Sequence, residues 1–599
     1  MPKKKIVPIK YTSRDFDSIK EDLIDHAKRY YPTKINDFSK ASFTSFVIDS
    51  VAYAGDILSY YLDYQVNESF LDTSIEFENI RKHAQSLGYR FSGIANSYGT
   101  AAFFVLVPAN EIGTAPDSSL IPTLKRGSEF KASNGANFIL TEDVRFNDPK
   151  NEIVAARFDN TTGATTFFAV RAYGQVVSGR FQRTTIDLTN QTFTRFRKVL
   201  IGGPNISEVF SVVDTEGNEY FEVDYLSQET VYLETTNRAA ASDGVRSILK
   251  PFVAPRRFIV EQDDTGTYLQ FGYGSEQDDT TGLVEPSKVA IEMHGKRYIT
   301  DRSFDPTQLL RTNKLGVSPS GTKLSVVYKI NDLTSTNVPA NGLNTIRTST
   351  IAFNNEQDLD AGLVAGVRGS LEVNNTEPIV GDTSGTSNEE LKVQAKNYYA
   401  TQNRAVTKQD YEALCYNMPK KFGTIKRVNV VNDPSATNRR MALYVISEDN
   451  NNKLTTANDA IKNNLKVWLG RYKMLNDVID IIDAKVVNYG IDFEISVTRD
   501  SNPNDVVNRV IAKIISEYSN TFYIGEPIYV SSLYNIINKV NGVSDVKKIN
   551  IYNKSGGNYS ATSINFDDLK SRDGTFYKAP KNVIFELKFP NADIRGVAK

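Results

Sequence analysis

Three histidines, His26, His83 and His294, and one cysteine, Cys415, are the whole supply of imidazole and thiol in 599 residues. They lie too far apart to suggest a cluster, and a Cys-based zinc site needs several thiolates at short spacing. A single cysteine excludes an intramolecular disulfide and suits a chain made for a reducing compartment. The motifs G-x-x-x-x-G-K-[ST], H-E-x-x-H, G-x-S-x-G and C-x-x-C are all absent. Gly202-Gly203 and Gly272-Tyr273-Gly274 have the composition of phosphate-binding turns, but neither is followed by a helix start whose free amides would hold an anion. They read as turns. Asp263-Asp264 and Asp278-Asp279 flank the Gln270 to Ser275 turn and could gather oxygen ligands for a hard cation; solvated loop carboxylates are the plainer reading. With 71 acids the chain could supply the two carboxylates of a glycosidase. The usual tryptophan platform is missing, because the sole Trp468 shares a helix face with Ile461 and Leu465 and reads as core. No catalytic, cofactor-binding or metal residue is therefore assigned, and no enzyme activity is expected.

Charge excludes further classes. Lys and Arg total 70 against 71 Asp and Glu, a net charge of −1, so no basic excess neutralises a nucleic-acid backbone. No run approaches the roughly 20 apolar residues of a membrane span, and Met1 to Lys10 lacks a signal-peptide core. Synthesis in the cytoplasm is expected. The 31 Tyr and 32 Phe suit interfaces as well as cores.

The elements that would position any site begin with Asp37 to Gly88, which predicts two helices. From Phe43, Val47, Val51, Ala54, Leu58, Tyr61 and Leu62 fall on one helix face. A second stripe runs through Phe46, Tyr53, Ile57, Tyr60 and Tyr64, leaving Asp49, Asp56 and Asp63 as a narrow polar strip that reads as a solvent face or, less often, faces a partner's Lys or Arg. A helix with so much apolar surface is covered on most sides, by its own domain or by an intermolecular bundle. Val47, Val51, Ala54, Leu58, Tyr61 and Leu62 are the candidate interface. The following helix is expected to open on a capping box, Thr73-Ser74-Ile75-Glu76, and to stop at Gly88. An earlier helix should begin after Thr12-Ser13 and end at Pro32.

From Thr100 the period changes to short β-branched and aromatic runs separated by Gly, Pro and Asn. From Ser387, where Ser387-Asn388-Glu389-Glu390 forms another capping box, helices and strands alternate. The predicted architecture is multidomain: an N-terminal α-helical segment, residues 1–95; central mainly-β domains, 96–320; a Gly/Asn/Thr-rich connecting β region, 321–386; and a C-terminal α+β domain, 387–599.

Three stretches in order carry a family resemblance. The first is Tyr11-Thr12-Ser13-Arg14-Asp15-Phe16 with Ser42-Phe43 and Arg81-Lys82-His83-Ala84-Gln85-Ser86-Leu87-Gly88-Tyr89. The second is Glu377-Pro378-Ile379 leading to Arg404-Ala405-Val406-Thr407-Lys408-Gln409-Asp410-Tyr411-Glu412. The third is Gly525-Glu526-Pro527-Ile528-Tyr529-Val530-Ser531-Ser532-Leu533 with Val540-Asn541-Gly542-Val543-Ser544-Asp545-Val546. Together with Phe271-Gly272-Tyr273-Gly274 they resemble the baseplate J-like wedge proteins of contractile-tailed bacteriophages. The resemblance implies a nonenzymatic structural subunit of the baseplate wedge, needed for tail assembly and sheath contraction signalling and located in the virion. It also implies a homodimer bundled with other wedge subunits through the N-terminal helices, contacts to neighbouring wedges through the C-terminal domain, and six wedges around a hub. Two readings from other classes stand beside it: a virion-associated polysaccharide hydrolase, and a receptor-binding β protein.

Overall fold

The computed structural model describes residues 14–35, 37–39, 42–89, 94–110, 112–159, 163–237, 247–263, 265–275, 315–331, 335–383, 387–432, 440–518 and 522–598. The chain is multidomain, with helices over residues 16–86, a long central run of strands, and α+β elements toward the C-terminus. Contacts divide it into two compact units, Met1–Arg90 with Thr386–Gln402, and Phe91–Gly385 with Asn403–Lys599.

The first unit is helical. Helix α1, Phe16–Tyr30, is capped by Asp15, whose carboxylate accepts from the Ser18 amide at 3.2 Å. The expected cap at Thr12-Ser13 falls outside the described residues. Helix α2, Phe43–Glu68, is capped by Ser42, which accepts from the Ser45 amide at 3.1 Å. Helix α3, Phe77–Ser86, ends at Gly88, whose φ of 86° only glycine adopts without strain. Its start corrects the sequence reading: Glu76 is the N-cap and no side chain of its own forms the expected box. Glu68 at the end of α2 instead secures the entry to α3, accepting from Ile75 N at 2.7 Å, Glu76 N at 3.3 Å and Asn79 Nδ2 at 2.8 Å. The helix Asn388–Thr401, capped by Ser387 as predicted, packs on α3. Tyr89 Oη donates to Gln394 Oε1 at 3.0 Å and its ring meets Tyr398 edge-on, while Leu391 and Ala395 are buried. The sequence reading had placed this helix at the head of the C-terminal domain.

In the second unit one antiparallel sheet runs Leu343–Thr348, Glu129–Ala132, Asn137–Leu140, Thr165–Ser178, Tyr98–Pro108, Glu372–Asn374. Its inward side chains, among them Phe103, Phe130, Phe138 and Val170, form one core. A second sheet runs Arg180–Asp187, Lys323–Ile330, Ile206–Val213, Glu219–Glu222, Arg257–Asp263, Gly266–Phe271, Lys198–Gly202 around Val212, Phe258, Leu269 and Val326. The segment read as a connecting region therefore does more than connect. Its strands complete both sheets, pairing with residues 136 to 219 positions earlier, and it contains the helix Ala361–Gly369.

Toward the C-terminus, Arg427–Asn432 pairs antiparallel with Arg440–Glu448, which runs parallel to Val478–Asp483. The run from Val478 to Val497 holds two strands. At Ala484, whose amide bonds Val445 O at 2.9 Å, the chain leaves one sheet and enters another as Lys485–Val497. That second strand is flanked by Val543–Lys554 on one side and by Val583–Glu586 and Ile594–Ala598 on the other. Helices Pro503–Glu517 and Val530–Asn538 bury Val506, Val510, Ile514, Leu533 and Ile537 against it. Between the second helix and its strand, Gly542 has φ 98°, the turn that its sequence position predicted.

Candidate interface on the second helix

Helix α2 is 26 residues long, about 39 Å at 1.5 Å per residue. Among them only Ser45, Ala52 and Glu68 are buried, and none is Lys or Arg. Helix α1 covers it along the side that carries the acidic strip. Arg14 pairs with Asp63 at 2.8 Å and Lys20 with Asp49 at 2.7 Å. Between these pairs the two helices approach closely at Gly55, where an added Cβ would lie 3.3 Å from Ile19 Cδ1. Two of its three acids thus pair with cations on or beside α1 while staying partly open to solvent, so the strip makes a contact within the chain as well as facing water.

What α1 leaves open is apolar. Of the candidate residues, Val47 is 42% exposed, Val51 50%, Leu58 63%, Tyr61 60% and Leu62 66%, and Ala54 is exposed as well. The second stripe lies open too at Phe46, Tyr53 and Tyr60, with Tyr60 stacked on Tyr64. Phe43, 80% exposed, and Val66 are open at the two ends of the same helix, and Phe70, just beyond it, is exposed as well and was not singled out in the sequence. Soluble monomers rarely expose long contiguous apolar stripes.

Further hydrogen bonds tie α2 to the start of α3. Hydrogen bonds from Asn79 and from the Ile75 amide keep the Glu68 carboxyl below the ordinary Glu range. The Tyr64 hydroxyl donates to Glu76 at 3.0 Å, which pushes its pKa up.

Residues 15–86 match the family model described as "Bacteriophage baseplate protein, N-terminal domain". The match spans α1, α2 and α3, the elements that build the open face. No curated protein matches the chain. Among solved structures, one chain of the cryo-EM structure of the anti-feeding prophage baseplate, six-fold symmetrised, is 10% identical, with 97% of this chain and 99% of that chain covered and a TM-score of 0.26.

The residues weighed for chemistry take structural places. Trp468 is buried and its indole N–H donates to Leu414 O at 2.9 Å. Cys415 is buried, and burial pushes its thiol up, away from the reactive thiolate. Asp263 accepts from the amides of Thr265 and Gly266, closing a hairpin turn; Asp264, Asp278, Asp279 and His294 lie outside the described residues. The Gly272 turn is a close approach, since a Cβ there would sit 2.1 Å from Gly316 O. Among the described residues no three of His, Cys, Asp and Glu are grouped to hold a metal. An open cavity of about 470 Å³ is lined by Lys131, Asn137, Arg180, Thr345 and Arg347 and includes no carboxylate in its lining. Among the described residues no helix is long and apolar enough to cross a membrane.

Two ion pairs also serve packing in the second unit. Lys329, 1% exposed, pairs with Glu208 at 3.2 Å, and Lys421 reaches Glu222 at 3.5 Å. Burial pushes Lys329 down and Glu222 up, against the partial compensation of the opposite charges. The four charges link the second β sheet to the turn that opens the C-terminal elements.

Proposed function

We propose that this chain is a structural subunit of the baseplate of a contractile phage tail, of the J-like wedge type, and that it works by docking rather than catalysis. One observation carries the reading: within the stretch that matches a baseplate N-terminal domain, α1 covers the charged strip of α2 and leaves its apolar face uncovered. On this reading α2 forms a helical bundle with α2 of a second copy and with other wedge subunits. The C-terminal domain contacts neighbouring wedges, the ring closes around a central hub, and the assembly passes the contraction signal to the sheath. The protein is made in the host cytoplasm and ends in the virion, with no nucleic acid, membrane or cofactor among its partners. The test is a particle made without this chain. Loss of baseplates and of sheathed tails, restored by supplying the protein in trans, supports the reading. Complete contractile tails without it contradict it.

A further inference from the structure

The C-terminal sheet has two edges, and they are treated differently. On the Arg427–Asn432 edge the outward amides are occupied: Val428 N donates to Tyr416 Oη at 3.2 Å and Val430 N to Glu412 Oε1 at 3.1 Å, both from the helix Lys408–Tyr416. Asn429 Nδ2 is tied to Ile524 O and Lys581 O on the same side. On the opposite edge the strand Val478–Asp483 bonds to Arg440–Val445, and among the described residues no further strand or side chain meets its outer backbone. Val478 and Ile482 are nearly half exposed beside it. An exposed, apolar, unpaired edge invites strand addition, and natural folds usually block it with charges, proline or a cover. Here one edge is blocked and the other is not.

The sequence of the bare strand says what it pairs with. Val478-Ile479-Asp480-Ile481-Ile482 is nearly symmetric about Asp480. Antiparallel pairing with the same strand of a second copy, centred on Asp480, sets Val478 against Ile482 and Ile479 against Ile481 on both sides of the axis. Within Val478–Ile482 every cross-strand pair is then apolar except the one on the axis. Two carboxylates facing each other would repel, but Asp480 already holds an ion pair with Arg440, whose guanidinium is more than half exposed. Two copies thus bring two Arg440 guanidinium groups to two Asp480 carboxylates. At each end the register sets Asp483, paired with Lys462 at 2.7 Å, opposite Asp477, which is buried and accepts from the Tyr411 hydroxyl at 2.7 Å, so each acid there already has its own partner. We infer that Val478–Asp483 joins two copies of this chain about a two-fold axis through Asp480, fusing their C-terminal sheets into one. This contact uses a surface separate from α2 and does not depend on the baseplate reading.

The test is register-specific cross-linking of the full chain carrying Leu58→Asp, which removes α2 association. Directly opposed residues in an antiparallel pair have Cα atoms about 4.5 to 5.5 Å apart, within disulfide reach. Under mild oxidation Asp480→Cys is expected to give several-fold more covalent dimer than a cysteine at exposed Asn451. An equal mixture of Ile479→Cys and Ile481→Cys is expected to cross-link better than either alone. Adding Val478→Lys and Ile482→Lys, both at exposed positions, abolishes the Asp480→Cys dimer while the thermal melt stays in place. Dimer yield from Asp480→Cys no higher than from Asn451→Cys, in protein with a normal melt, overturns the inference. So does cross-linking that ignores the 479/481 register.

Discussion

Helix Pro503–Glu517 and α2 are both long, capped and striped with apolar residues, yet the protein treats them in opposite ways. In Pro503–Glu517 the stripe Val506, Val510, Ile514 is fully buried against Tyr489, Ile491, Phe493 and Ile495 of its own sheet. In α2 the stripe faces outward and the buried side belongs to small and polar residues. The lesson is that an apolar stripe identifies a face to be covered, not the molecule that covers it. The covering body is decided by the neighbouring element. Helix α1 chose the acidic side, through Arg14, Lys20 and the small Gly55.

The comparison breaks first if the C-terminal stripe proves tolerant. Val510→Asp places an unpaired charge in a closed core and removes packing, a loss of about 3–5 kcal/mol or more. A calorimetric melt of the free protein should show the C-terminal transition lowered or lost. Gly542→Ala should cost less, on the order of 1–3 kcal/mol, because φ of 98° strains a residue with a Cβ and that atom would sit 2.8 Å from Val506 Cγ2. The melt of the same transition reads it.

In the N-terminal unit, Glu68→Gln should destabilise α3 modestly and change its pH response. The Glu68 carboxyl is held below its unfolded value by hydrogen bonds. Its contribution is therefore present above the ordinary Glu range and is lost as pH falls through the lower folded value. Melts between neutral and strongly acid pH should show this loss in the natural protein and a flatter profile in the variant. The smallest effect belongs to the α1–α2 ion pairs. Arg14→Ala with Lys20→Ala should shift stability by under about 1 kcal/mol per pair, since both are exposed. A large shift would mean that these pairs, and not Gly55 packing, hold the helices together.

Much of the fold was legible because helical and strand periods are local. The stripes of α2, the Ser387 helix cap and the Trp468 core position were all read from residues a few positions apart. What escaped was non-local or weakly patterned. The helix Ala361–Gly369 is short and contains three glycines; its one clear signal was Asp360, which accepts from the amides of Gly362 and Leu363. The strands after residue 321 pair with partners far upstream, which no local pattern reveals. The entry to α3 is secured by Glu68, outside the four residues where a box is sought. In α2 the apolar stripes were legible and the role of the acidic strip was not, because a seven-residue spacing of Asp reads the same facing water or facing α1.

The most direct test of the account is Leu58→Asp in the full chain, with a thermal melt and light scattering measured on the same sample. Leu58 is 63% exposed, so the variant should melt with the natural protein while α2-mediated association is lost. A lowered N-terminal melt in the unassociated chain would show that this face is covered from within and would contradict the account.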